Sequence, residues 1–234
     1  MANRGDRPER SRSGVRRLAL TPAAKLSVTT PRGTAEVLLE DPPRRPVGLL
    51  AIGHGASGGV DAVDLLAARD AALDAGLVVA RITQPYRVAG RRVPPAAPAL
   101  DEAWTAILAA VRERVGATVP LVVGGRSSGA RVACRTAHAL GAVGVLALAF
   151  PLHPPGKPTA TRAAELDPRV PTLVVNGDRD PFGVPESVGL VSVVVQPGEG
   201  HDLRRDPATL RRTVAEWLTE LLSRRRVTGR TRRA

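Results

Sequence analysis

Near-continuous apolar stretches rich in β-branched residues recur at Ala35–Leu39, Val47–Ile52, Leu77–Ile82, Val119–Val123, Val143–Ala149, Val170–Val175 and Val191–Val195. They do not alternate apolar with polar, and strands buried on both faces of a parallel sheet read this way. Between several of them the apolar positions change to a helical period. Leu100, Ala103, Trp104, Ile107, Leu108, Val111 and Val115 share one face, with Pro98 near the start and Gly116 as a stop. Asp206 suits an N-cap with Pro207 in the first turn, and Leu210, Val214, Trp217, Leu218 and Leu221 form the buried stripe that follows. Val63–Leu73, ending at Gly76, is a weaker helical segment. Strands alternating with helices predict an α/β fold: a doubly wound, mostly parallel sheet with right-handed crossovers. The connection from Phe150 to Val170 contains Pro151, Pro154, Pro155, Pro158 and Pro168. It is too short and too stiff for an inserted lid domain, so an open, shallow site is expected.

The length of 234 residues suits one such domain better than two small ones. Hydrophobic residues make up 43% of the chain but aromatics only 2%, so Ala, Val and Leu must fill the core. No apolar run approaches the roughly 18 to 20 residues that span a bilayer, and Leu18-Ala19-Leu20 is too short for the core of a signal peptide. Cys134 is the only cysteine, which rules out an intrachain disulfide and fits a reducing compartment. A soluble cytoplasmic protein with no membrane contact is expected.

The net charge of +12 suggests nucleic-acid binding until it is located. Residues 1–17 account for +4 of it and residues 223–234 for +6, leaving +2 for everything between. The expected organisation is therefore a basic tail at 1–17, a folded domain at 18–222 and an arginine-rich tail at 223–234. Both tails are expected to be disordered and solvated. Weak, salt-sensitive attraction of the tails to polyanions is the functional alternative.

In an open parallel sheet, function collects beyond the carboxyl ends of the strands. After Val47–Ile52 comes Gly53-His54-Gly55-Ala56-Ser57-Gly58-Gly59, a loop able to point backbone N–H groups at one place. After Val119–Val123 comes Gly125-Arg126-Ser127-Ser128-Gly129, a G-x-S-x-G sequence between a strand and an alanine-rich helical stretch. That is the layout of a nucleophile elbow, in which a strained turn lifts a serine hydroxyl above the sheet edge. After Val170–Val175 comes Asn176-Gly177-Asp178-Arg179-Asp180-Pro181, and after Val191–Val195 comes Gln196-Pro197-Gly198-Glu199-Gly200-His201-Asp202. A serine hydroxyl needs a neighbouring imidazole to take its proton, and the imidazole needs a carboxylate to hold its tautomer.

Ser127, Asp180 and His201 are thus the candidate nucleophile, acid and base. Asp178 competes with Asp180 for the acid role; the later residue is favoured because the chain there has turned back toward the histidine. The N–H groups of Ala56 and Ser128 are the candidate oxyanion donors. His54, Ser57, Arg126, His153 and Phe182 are candidates for the substrate pocket, with His54 expected to shape the oxyanion loop rather than move protons. Nothing has metal-ligand spacing, and neither a metal nor a cofactor is expected.

The chain resembles the α/β-hydrolase superfamily, more closely its KANL/Tex branch, with dienelactone-hydrolase-like enzymes as wider relatives. The matching stretches are His54–Gly59, Gly124–Arg131, Phe150–Pro158, Gly177–Gly183 and Gly200–Leu203. Phe150-Pro151-Leu152-His153-Pro154-Pro155-Gly156-Lys157-Pro158 is the most specific of them. The resemblance spans roughly residues 36 to 222 and implies a lidless hydrolase fold with Ser127, Asp180 and His201 at the triad positions. The expected function is a serine hydrolase acting on an ester or thioester of a small to medium acyl group. The competing readings are a catalytically silent interaction module of the same fold and polyanion or nucleic-acid association through the tails. Neither the identity of the substrate nor the oligomeric state is legible.

Overall fold

The computed structural model of the protein describes residues 23–56, 58–166 and 169–231, with side chains as far as Arg224. The expected tail at 1–17, Ser57 and residues 232–234 lie outside the described residues.

The elements follow in the order β1 (Ala24–Thr30), β2 (Gly33–Glu40), β3 (Gly48–Gly53), α1 (Val63–Asp74), β4 (Leu77–Thr83) and α2 (Pro85–Val88). Then come α3 (Ala97–Val115), β5 (Leu121–Arg126), α4 (Ser128–Thr136), β6 (Gly144–Leu148), β7 (Thr172–Gly177), β8 (Val191–Gln196) and α5 (Pro207–Thr231). The strands form one sheet in the order β1-β2-β4-β3-β5-β6-β7-β8. Strands β3 to β8 run parallel, while β1 and β2 add an antiparallel hairpin at the β4 edge. The doubly wound, mostly parallel sheet is as the apolar pattern predicts.

Consecutive strand residues feed opposite layers, which is why the runs read as continuous. In β3, Leu49 and Ala51 join the layer built by α3 and α4, while Leu50 and Ile52 join the layer of α1 and α5. Trp104, Ile107, Leu108 and Val111 carry α3 onto the first layer. Leu65, Ala68 and Ala72 of α1 and Leu210, Val214 and Leu218 of α5 close the second. Helix α5 is capped where the sequence indicates, the Thr209 N–H donating to Asp206 Oδ1 at 2.9 Å, and it continues beyond Leu222 to Thr231.

Strand β1 leaves no continuous apolar run in the sequence. Only Val28 and Thr30 of it are buried, since it is an edge strand with one covered face, and a one-faced strand has no continuous apolar run. The four-residue α2 is too short to leave a periodic signal. Between β6 and β7 the described residues hold a single 3-10 turn, Ala163–Glu165, and no lid domain. Among the described residues no helix is long and apolar enough to cross a membrane.

The winding decides where a site can lie. From β3 the chain moves outward to β4, then crosses back over to β5 and continues outward through β6, β7 and β8. The direction therefore reverses between β3 and β5, and the crevice beyond the carboxyl ends of a parallel sheet opens at such a reversal. The loops after those two strands are the Gly53–Gly59 segment and the G-x-S-x-G turn.

Candidate active site

Strands β3 and β5 end in register, Gly53 opposite Gly125, and the turn into α4 presses against β3. A Cβ added to Gly125 would sit 2.5 Å from the Gly53 carbonyl oxygen, and one added to Gly129 would sit the same distance from the same atom. Two glycines four residues apart thus allow strand, turn and helix to meet at one backbone carbonyl. Ser127 between them has φ 51° and ψ −112°, a conformation that costs a non-glycine residue on the order of 1–3 kcal/mol. Its N–H donates to the Leu148 carbonyl at 2.9 Å, which fastens the turn to the end of β6.

The strained turn brings three distant residues together. Ser127 Oγ lies 2.9 Å from His201 Nε2, and His201 Nδ1 lies 2.8 Å from Asp180 Oδ2. A carboxylate accepts only, so Nδ1 carries the proton and Nε2 is left to accept from the serine hydroxyl. The Asp180 side chain is wholly buried. Its Oδ1 accepts the Phe182 N–H at 2.9 Å and its Oδ2 also accepts from Asn176 Nδ2 at 3.3 Å. Asp178 sits elsewhere, accepting the Gly198 N–H at 2.8 Å in an exposed turn.

Asn176 is a residue that motif reading passes over. Fully buried at the end of β7, it accepts the Phe150 N–H at 2.9 Å and donates back to the Phe150 carbonyl at 3.0 Å. It also reaches the Gly183 carbonyl at 3.2 Å. One amide therefore ties the end of β6 to the loop that carries Asp180. The signal available in the sequence was a polar residue closing an apolar strand.

Arg126 and Asp64 form the second support. Asp64, in the first turn of α1, has no exposed side-chain surface and accepts from Arg126 Nε at 2.8 Å. Burial raises the Asp64 carboxyl above its ordinary range, and the Arg126 guanidinium offsets only part of that rise. The other end of that guanidinium donates to the His201 carbonyl at 2.7 Å. Arg126 is thus a strut from α1 to the histidine loop as well as a lining residue of the cleft. Phe182 packs edge-on against the His201 ring, centroids 4.5 Å apart at 76°.

The loop after β3 is held from behind. His54 Nδ1 donates to the Gly55 carbonyl at 2.7 Å, and His54 Nε2 accepts the Gln84 N–H at 3.1 Å. That arrangement requires a neutral ring, and burial lowers the His54 pKa in keeping with it. Tyr86 donates its hydroxyl to the Ala56 carbonyl at 2.9 Å, with burial pushing its pKa up to about 12.

A cleft of about 450 Å³ opens over Ser127 and His201, with Ala56 and Ser128 on its surface. Pro94, Pro151, Pro155 and Phe182 give it apolar walls, and Arg126, Arg131 and Arg162 give it charge. Two residues expected at the pocket do not line it. His54 is buried at the start of the loop after β3 with both ring nitrogens engaged. His153 holds its Nδ1 against the Ala160 carbonyl at 2.9 Å, so its ring serves the loop rather than the cleft. Ser57 falls outside the described residues. Among the described residues no three His, Cys, Asp or Glu side chains are grouped as a metal site requires.

Comparison with curated proteins gives no match. Similar solved structures include an α/β serine hydrolase without a lid from Xanthomonas campestris, at 22% identity and a TM-score of 0.70, covering 84% of this chain and 93% of that one. An α/β serine hydrolase homologue from Coxiella burnetii is 18% identical with a TM-score of 0.70, over 85% of this chain and 99% of that one. A thermostable carboxyl esterase from Bacillus coagulans is 13% identical with a TM-score of 0.67, over 86% and 99%. At these identities the likeness is one of fold. The family profile described as an alpha/beta hydrolase domain matches residues 46–205, a span that runs from just before β3 to just past His201. With that match over more than half of its length, the chain belongs to the alpha/beta hydrolase domain family.

Proposed function

We propose that this protein is a serine hydrolase that cleaves an ester or thioester of a small to medium acyl group through an acyl-enzyme on Ser127. The observation that carries the reading is the unbroken hydrogen-bonded chain from Asp180 through His201 to Ser127 at the floor of a cleft. In this mechanism Ser127 Oγ attacks the carbonyl carbon while His201 Nε2 takes its proton. Asp180 holds the Nδ1–H tautomer and stabilises the imidazolium that forms. The N–H groups of Ala56 and Ser128 receive the oxyanion, each worth roughly 100- to 1,000-fold in rate. Collapse of the intermediate expels the alcohol or thiol, which takes the proton from His201. Water activated by the same imidazole then releases the acid and restores Ser127. The chemistry calls on no metal or cofactor.

The Phe150–Pro158 segment supports placing the chain in the KANL/Tex branch, and the single buried Cys134 suits a cytoplasmic setting. The test is turnover of a short p-nitrophenyl ester. Ser127→Ala should lower kcat by about 10⁴-fold or more. Equal turnover by both proteins would remove Ser127 from the mechanism. Silence of the intact protein on a broad ester panel would favour a non-catalytic module.

A further inference from the structure

The lining of the cleft holds three arginines and, among the described residues, no acid. Two of the arginines are balanced by carboxylates outside the lining. Arg126 is paired with the buried Asp64. Arg131 makes a two-pronged contact with Glu165, at 2.7 and 2.5 Å. Glu165 is also shared with Arg135 at 3.1 Å, and Arg135 grips Asp101 with its remaining donors. Two guanidiniums, those of Arg131 and Arg135, therefore take up both carboxylates.

Arg162 is the one left over. Its Nη1 donates to the carbonyls of Pro151 and His153, at 3.4 and 3.2 Å. No carboxylate among the described residues lies within ion-pair distance of it. Burial, then the neighbouring Arg131 charge, work against its cationic form, with only partial relief from Glu165. Its Nε and second terminal nitrogen have no protein partner among the described residues. A guanidinium with no direct acid partner among the described residues, anchored through one nitrogen and with two donors to spare, matches the geometry of a carboxylate. It stands on the wall of the cleft that holds Ser127 and His201, where a molecule lying over Ser127 would come within its reach.

We propose that the substrate is an ester or thioester carrying a carboxylate in its acyl or its alcohol half, and that Arg162 selects for it. The proposal rests on the hydrolase reading of Ser127 and adds the charge of the substrate. Arg131 and Arg126 are already engaged by their own acids and offer no vacant fork.

The experiment uses matched substrates on the full-length protein, with the Ser127→Ala protein as the background rate. For the acyl half, the p-nitrophenyl monoesters of glutaric and adipic acids are compared with p-nitrophenyl pentanoate and hexanoate. For the alcohol half, 4-acetoxybenzoate is compared with phenyl acetate. A ratio of kcat/KM favouring the carboxylated member by roughly 10- to 100-fold is expected in one of the two series; which one tells where the carboxylate sits. Arg162→Met should collapse that ratio and Arg162→Lys should keep part of it; because each is a ratio, a general loss of activity cancels. A wild-type protein with no preference in either series overturns the proposal without recourse to any variant. So does a preference that survives Arg162→Met. Turnover of none of the esters above the Ser127→Ala background would instead overturn the hydrolase reading, and this inference with it.

Discussion

Replacing Asp64 by Ala is expected to damage both the fold and the site, because Asp64 is the buried anchor of the strut to His201. Its side chain has no exposed surface and that of Arg126 is only 13% exposed. Removing one member of a buried ion pair typically costs 3–5 kcal/mol, chiefly because the other charge is left desolvated and unmatched. Arg126 keeps its bond to the His201 carbonyl at 2.7 Å and touches the cleft, so a loss near the lower end, about 3 kcal/mol, is expected. In urea unfolding that corresponds to a fall of about 1 M or more in the midpoint with an unchanged slope. Converting both residues to apolar ones, Asp64→Leu with Arg126→Met, removes the orphaned charge and should cost less than Asp64→Ala alone. Asp64→Leu and Arg126→Met made singly should therefore together cost about 2 kcal/mol more than the two made in one protein. On an active preparation, Asp64→Ala should also lower kcat, since the His201 loop loses its brace. Strictly additive effects, or a loss below about 1 kcal/mol for Asp64→Ala, would refute the strut.

Two further changes probe other parts of the account. Asp180→Asn should lower kcat by about 10⁴-fold by favouring the wrong histidine tautomer, whereas Asp178→Asn, in its exposed turn, should stay within a few-fold of wild type; the reverse pattern would move the acid role to Asp178. Cys134 is buried in α4 with its pKa pushed up to about 12, by burial first and then by Glu165. It should therefore ignore a disulfide reagent at pH 8 until the protein is unfolded, and rapid reaction of the native protein would contradict the packing. The sign with pH follows: the folded thiol holds its proton above the ordinary 9.0, so this contribution to stability is complete below pH 9.0 and declines as pH rises toward 12. A wild-type protein that loses stability no faster than Cys134→Ala over that range would contradict the shift.

The parts of the fold that could be read from the chain are those decided by local pattern. Strands β3 to β7 lie between two helical layers, so Leu49, Leu50, Ala51 and Ile52 are all apolar although they face opposite ways. Strand β1 is covered on one face only, and its sequence lacks that run. The meeting of Ser127, Asp180 and His201 at one sheet edge was legible because each lies just beyond a strand end in a sheet expected to be parallel. Asn176, Asp64 and the commitment of Arg126 were not. Their partners are 26, 62 and 75 residues away in sequence, and an acid in the first turn of a helix reads as an ordinary complement to the helix dipole. His54 was legible as a shaper of its loop but not as a ring buried away from the cleft, which depends on the Gln84 backbone thirty residues on.

The most direct test of the central claim is covalent labelling with a fluorophosphonate, followed by mapping of the adduct. The hydrogen-bonded chain from Asp180 through His201 predicts one adduct, on Ser127 Oγ, formed rapidly by the wild-type protein. It predicts near-complete loss of labelling in Ser127→Ala and strong slowing in His201→Ala. An adduct on another residue, or equal labelling of wild type and Ser127→Ala, would contradict the account at its centre.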